Sequence, residues 1–269
     1  MRDFVTIQHQ ARILVLLVDN PPVNALGPGV PEAIAAAIDA AERNDDIDAI
    51  VLGAAGRTFV AGADISTLEL AAWDNPDAAA NLHGLLARIE GCCKPVVMAI
   101  HGTALGGGLE LAMAGHCRVA TPGAELGQPE VNLGIIPGAE GTQRLPRLVG
   151  VEKALEMCVS GRPIGAAEAL SAGLIDAVIE GDLLPGAVAF ATARTPGVRT
   201  PGVFRTHRTP RHPRDQRTVL RGGACIRGED SPPSDRAIEG HPGHRSRDDA
   251  ALRGRLPPRA DAVLRMHPR

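Results

Sequence analysis

Up to about residue 194 the chain alternates short, unbroken apolar runs with segments whose apolar residues recur every three or four positions. "ARILVLLVD", "DAIVLGAAG", "KPVVMAIHG" and "HCRVAT" are runs of the first kind and read as buried strands. "VPEAIAAAIDAAERNDD", "PDAAANLHGLLARIEGCC" and "LPRLVGVEKALEMCVSG" have helical spacing. This alternation of strand and helix predicts an α/β architecture built by repeated crossovers.

Past residue 194 neither period continues. The stretch opening "RTPGVRTPGVFRTHRTPRHPRDQRT" is rich in arginine and proline and holds no lysine. Prolines at 196, 201, 210, 213, 232, 233, 242, 257, 258 and 268 leave room only for short helices. The chain therefore divides into a core, 1–194, and an atypical Pro/Arg-rich tail, 195–269. A basic tail of this kind could bind nucleic acid or a membrane surface. Arginines interleaved with Asp and Glu from 215 onward instead favour a poorly ordered segment. A third reading is translation out of frame, since a GC-rich gene read in a shifted frame yields arginine, proline and histidine without lysine.

Composition narrows the function. A chain of 269 residues suffices for one large domain, alone or with an appendage. The net charge of -3 argues against nucleic acid as the main partner. Aromatic residues make up 2%, with no tyrosine, so base-stacking platforms are not expected and the core falls to Ala, Val, Leu and Ile. The five cysteines (Cys92, Cys93, Cys117, Cys158, Cys225) form no CxxC pair and no metal spacing. They read as buried thiols of a reducing compartment. "MRDFVTIQHQ" lacks the pattern of a signal peptide, and the run "ILVLLV" is far too short to span a bilayer. The expectation is a cytoplasmic protein with no membrane partner.

Chemistry enters with "ALGGGLELA", residues 104–112. The glycines lie between a strand ending "PVVMAIHG" and a segment suited to begin a helix. The first N–H groups of a helix have no partner within it, and glycine lets a ligand atom approach them. Such a turn is either an anion or oxyanion site, with Glu110 one turn in, or a packing turn. A second turn, "FVAGADIS", ends in glycine, alanine and Asp64, which could equally cap an ordinary helix. In a third segment, "ELGQPEVNLGIIPGAEGTQRLPRLVG", Glu130 stands between turn residues, as a functional or a solvated carboxylate. No G-x-G-x-x-G or P-loop pattern occurs, so nucleotide phosphates have little support.

Together and in this order, "NPPVNALG", "AGADI", "HGTALGGGLELA", "GQPEVNLGIIPGAEGTQRLPRLVG" and "SGRPIGAAEALSAGLID" resemble the enoyl-CoA hydratase/isomerase (crotonase) family. The likeness runs from about residue 5 to about residue 190, and its last motifs look most like the N-terminal part of multifunctional fatty-acid oxidation proteins. The resemblance implies a crotonase-like spiral of ββα units that hydrates a 2-trans-enoyl-CoA to a 3-hydroxyacyl-CoA in fatty-acid beta-oxidation. It implies that the backbone N–H groups of Ala63 and Gly107 form an oxyanion hole and that Glu110 and Glu130 are the catalytic carboxyls. Ala63, Asp64, Ile65, Gly106, Gly107 and Pro137 would bind substrate. No metal or redox cofactor is implied, coenzyme A being part of the acyl-CoA substrate.

Two glutamates favour hydration over isomerisation, because an isomerase moving a proton between carbons needs a single base. The alternatives are a 3,2-trans-enoyl-CoA isomerase or another crotonase-fold reaction, and a non-catalytic acyl-CoA-binding or assembly subunit. Two features depart from the family pattern. Glu140 stands where the family usually has glycine, so a positive φ there would strain the turn. The tail does not read as the C-terminal helices that complete the family's acyl pocket and its trimers or hexamers.

Overall fold

The structure is a computed structural model that describes residues 3–62 and 76–194. The segment holding Ala63, Asp64 and Ile65, and the tail from residue 195, lie outside the described residues.

Each apolar run becomes a strand of one sheet, in the order β1 (Val5–Gln10), β2 (Ile13–Val18), β3 (Ala49–Ala54), β5 (Val96–Ile100), β7 (Cys117–Ala120) and β10 (Ala177–Val178). Its pairings are parallel except for the antiparallel β1–β2 hairpin. Registration explains why these runs do not alternate with polar residues. Leu16, Leu52 and Met98 line up across three strands and enter the main core, while their neighbours Val15, Val51 and Val97 enter a second core on the opposite face. A sheet covered on both faces needs apolar side chains at every position. Helix α1 (Val30–Arg43) supplies Ile34 and Ile38 to the main core. The helix Leu183–Thr192 covers the other face with Ala187 and Ala191.

A smaller sheet runs β4 (Val60–Ala61), β6 (Thr103–Leu105), β8 (Glu125–Gly127) and β9 (Ile164–Gly165). Three successive passes leave the large sheet and enter the small one, as β3 to β4, β5 to β6 and β7 to β8. The passes stack through their turns: Phe59 N–H donates to His101 O at 2.9 Å and Glu125 N–H to Gly102 O at 2.8 Å. Helices follow the small-sheet strands, among them α2 (Pro76–Gly91) and α3 (Gly107–Ala114). This is the ββα spiral that the resemblance implies.

Local departures from the sequence reading have simple causes. The span expected as one helix over 145–161 is two, α4 (Gly141–Val149) and α5 (Val151–Ser160), because Gly150 between them takes φ +84° and ψ 162°. The helix after the glycine run begins inside it, at Gly107. Cys92 and Cys117 are buried as expected, whereas Cys93 and Cys158 are only partly covered, and all four are free thiols. Cys225 falls outside the described residues. Among the described residues no helix is long and apolar enough to cross a membrane.

Candidate functional site

The site forms where α3 begins. Gly106 precedes the helix with φ +54°, and its N–H donates to Gly127 O at 2.9 Å, joining the turn to the end of β8. Gly107 is the first helical residue, a position whose N–H has no partner within the helix. Gly108 is glycine for space: a Cβ there would stand 2.0 Å from Val60 O and 2.9 Å from Val60 Cβ. Its absence lets the start of α3 close against β4. The described chain runs from β4 to Gly62, whose Cα lies 3.8 Å from where a Gly106 Cβ would be. Gly106 and Gly107 therefore stand at the turn into α3, while Ala63, Asp64 and Ile65 are outside the described residues.

Glu110 lies in the first turn of α3 and is 2% exposed. Its Oε1 accepts the backbone N–H groups of Ala139 at 2.9 Å and Gly141 at 2.8 Å. Buried Pro137 adjoins this contact, its Cβ 2.7 Å from where a Gly141 Cβ would be. Burial pushes the Glu110 carboxyl up to about 7. The Gly141 N–H opposes that rise, the Glu130 charge adds to it, and the Ala139 N–H and the field of His83 on α2 oppose it.

Glu130 reaches the same place from the short 3-10 turn Pro129–Leu133. Its Oε1 lies 3.1 Å from where a Gly106 Cβ would be, so the carboxylate packs on the glycine turn itself. Burial raises its pKa, and its own backbone N–H opposes the rise. The charges of both glutamates also raise the pKa of Cys158 on α5, though burial of the thiol is the larger cause. Glu130 is thus not a solvated surface carboxylate; it shares a partly dehydrated site with Glu110.

Four residues that sequence reasoning did not single out complete the surroundings. Gln128, fully buried, stands two residues before Glu130. Its amide nitrogen, in the orientation that satisfies both amide atoms, donates to Glu130 Oε1 at 2.8 Å and Oε2 at 3.1 Å. Asn24, 3% exposed, anchors the "NPPVNALG" loop through Nδ2, which donates to Ala55 O at 2.8 Å and Thr58 O at 2.9 Å. Arg144, 1% exposed, joins Glu140 at 2.6 Å to Glu90 of α2 at 3.2 Å. The four-residue spacing of Glu140 and Arg144 was a readable signal; the contacts to residues far along the chain were not.

Glu140 does adopt a positive φ, +69°, directly before α4. The expected strain is therefore present, since a non-glycine residue there costs about 1–2 kcal/mol. Its Oε2 accepts from Arg144 Nε at 2.9 Å as well as from Nη2, which offsets part of that cost. Residue 140 stands between Ala139 and Gly141, so its left-handed backbone sets how both donors turn toward Glu110.

Comparison with known proteins identifies the family. The family model described as enoyl-CoA hydratase/isomerase matches residues 8–193. A Bacillus subtilis protein named "Probable enoyl-CoA hydratase" is 48% identical over 165 residues, covering 61% of this chain and 64% of the relative. A glyoxysomal fatty acid beta-oxidation multifunctional protein of Cucumis sativus is 42% identical over 201 residues, covering 73% of this chain but 28% of that protein. The chain thus spans under two thirds of one relative and little more than a quarter of the other. Among solved structures, an enoyl-CoA hydratase of Bacillus anthracis superposes with TM-score 0.66 at 33% identity, over 71% of this chain and 76% of that one. DspI of Pseudomonas aeruginosa gives TM-score 0.68 at 29% identity, over 72% and 76%. With the spiral fold, the glycine turn and a family match over most of its length, the chain belongs to the enoyl-CoA hydratase/isomerase (crotonase) family.

Proposed function

We propose that this site adds water across the double bond of a 2-trans-enoyl-CoA thioester, giving a 3-hydroxyacyl-CoA. The observation that carries the reading is the convergence of Glu110 and Glu130 on one partly dehydrated place at the start of α3. Attack of water at C3 pushes charge onto the thioester oxygen. The outward Gly107 N–H, with the Ala63 N–H that the family resemblance implies, would stabilise that charge by about 3 kcal/mol per donor. Water loses a proton as C2 gains one. Burial raises the pKa of both carboxyls and the Glu130 charge raises that of Glu110 further, so that one group can hold a proton for donation while the other accepts. Backbone N–H groups and carboxyls carry every step, coenzyme A entering with the substrate.

Fatty-acid beta-oxidation is the process we propose, supported by the printed names of relatives such as the Cucumis sativus multifunctional protein. The test is hydration of crotonyl-CoA by the full chain, followed as loss of the conjugated enoyl absorbance, with CoA-ester binding measured separately. Turnover supports the hydratase. Conversion of a 3-enoyl-CoA without hydration would assign isomerisation, and binding without turnover would assign an acyl-CoA-binding subunit.

A further inference from the structure

The two backbone donors that hold Glu110 flank a single residue, Glu140, whose left-handed backbone an L side chain resists. We infer that Arg144 is a positioning residue for Glu110, acting through the turn that its guanidinium clamps at Glu140. The inference rests on the hydratase reading for its effect on turnover, and on geometry alone for the clamp.

Relaxation of residue 140 from φ +69° to a negative φ would swing the chain after it relative to the chain before it. The N–H groups of Ala139 and Gly141 could then no longer meet on Glu110 Oε1. Arg144 grips residue 140 at two levels. Its backbone N–H donates to Glu140 O at 2.8 Å, and its Nε and Nη2 donate to Glu140 Oε2 at 2.9 and 2.6 Å. Nη2 also donates to Glu90 Oε2 of α2 at 3.2 Å, so a second helix tethers the guanidinium. Arg144 and Glu90 are both buried, where charge-assisted hydrogen bonds are strong and their geometry is fixed. The clamp thus keeps a glutamate in the conformation that glycine adopts without help. The titratable groups around Glu110 are Glu130 of the 3-10 turn, His83 of α2 and Cys158 of α5, while Glu140, Arg144 and Glu90 form the clamp. Loss of the two donors would raise the Glu110 pKa further, because both favour its ionised form.

Three substitutions at position 140 leave Arg144 in place and separate the clamp from the strain. Glu140→Gln keeps an oxygen for the Arg144 fork, Glu140→Ala keeps the strained φ without it, and Glu140→Gly removes the strain together with the side chain. The kcat of Glu140→Ala should fall about five- to thirtyfold below those of Glu140→Gln and Glu140→Gly, the strain of one left-handed residue expressed as a rate. KM should be alike in all three, and the limb of the pH profile set by Glu110 should lie at higher pH in Glu140→Ala. Arg144→Lys, which keeps the charge but not the fork, should lower kcat about fivefold in the wild type and less in a Glu140→Gly background. Equal kcat across the three position-140 variants, or an equal loss from Arg144→Lys in both backgrounds, would overturn the inference and leave the ion pair a packing feature. Glu140 is only partly buried, so its variants decide the matter even if Arg144→Lys does not fold. A readout independent of turnover is the backbone amide NMR signals of residues 139 and 141. They should follow the Glu110 titration in the wild type, Glu140→Gln and Glu140→Gly, and lose that response in Glu140→Ala. The same response in all four proteins overturns the clamp. An inactive wild type would remove the hydratase reading and leave the NMR comparison to decide the inference.

Discussion

Gly141 donates its N–H to Glu110 Oε1 at 2.8 Å, and a methyl group on Gly141 would stand 2.7 Å from that same oxygen. Position 141, one of the two donors to this oxygen, must therefore be filled by the residue without a side chain. Gly141→Ala should push Glu110 off its donors and crowd Pro137, costing about 1–3 kcal/mol of stability, the usual range for overpacking. Hydration should fall by tenfold or more while acyl-CoA affinity changes little. Denaturant unfolding and steady-state kinetics check the two halves; normal turnover with Glu110 displaced would remove it from the chemistry.

The raised Glu110 pKa has a consequence for stability. Its folded value of about 7 exceeds the ordinary 4.5, so between these pH values the native state retains a proton that the unfolded chain has released. Stability contributed by this group is therefore full below about 4.5 and declines as pH rises through about 7. A shift of that size corresponds to roughly 3 kcal/mol. Glu110→Gln does not titrate, so its stability relative to wild type should improve by up to that amount between pH 4 and pH 8. Urea midpoints across that range test this, and a difference independent of pH would contradict it.

At position 140 the backbone and the side chain pull in opposite directions. Glu140→Ala keeps the strained φ of +69° and loses the Arg144 partner, whereas Glu140→Gly loses the partner but relieves the strain. The glycine variant should be the more stable by about 1 kcal/mol. Thermal unfolding of the pair measures it; equal stabilities would mean that the turn carries no strain.

The long apolar runs announced the large sheet because both faces of its strands are buried, leaving no polar position to blur the signal. β1 escaped notice for the opposite reason: four of its six residues are exposed, and its place is fixed by pairing with β2. The small-sheet strands, two or three residues each, are too short to show any period. Glu110 and Glu130 were legible through the motifs around them. The donors that hold Glu110 were less so, since the N–H groups of Ala139 and Gly141 lie 29 and 31 residues away along the chain and only folding brings them to it.

The paired-carboxyl account stands or falls on Glu130. Glu130→Gln keeps size and most hydrogen bonding but removes a proton acceptor. Crotonyl-CoA hydration should be compared for wild type, Glu110→Gln and Glu130→Gln, with CoA-ester binding followed in parallel. The account predicts that each substitution lowers turnover by at least the 10²-fold typical of losing a general acid or base, while binding through the backbone donors is retained. An active wild type whose Glu130→Gln variant keeps near-normal turnover would contradict it.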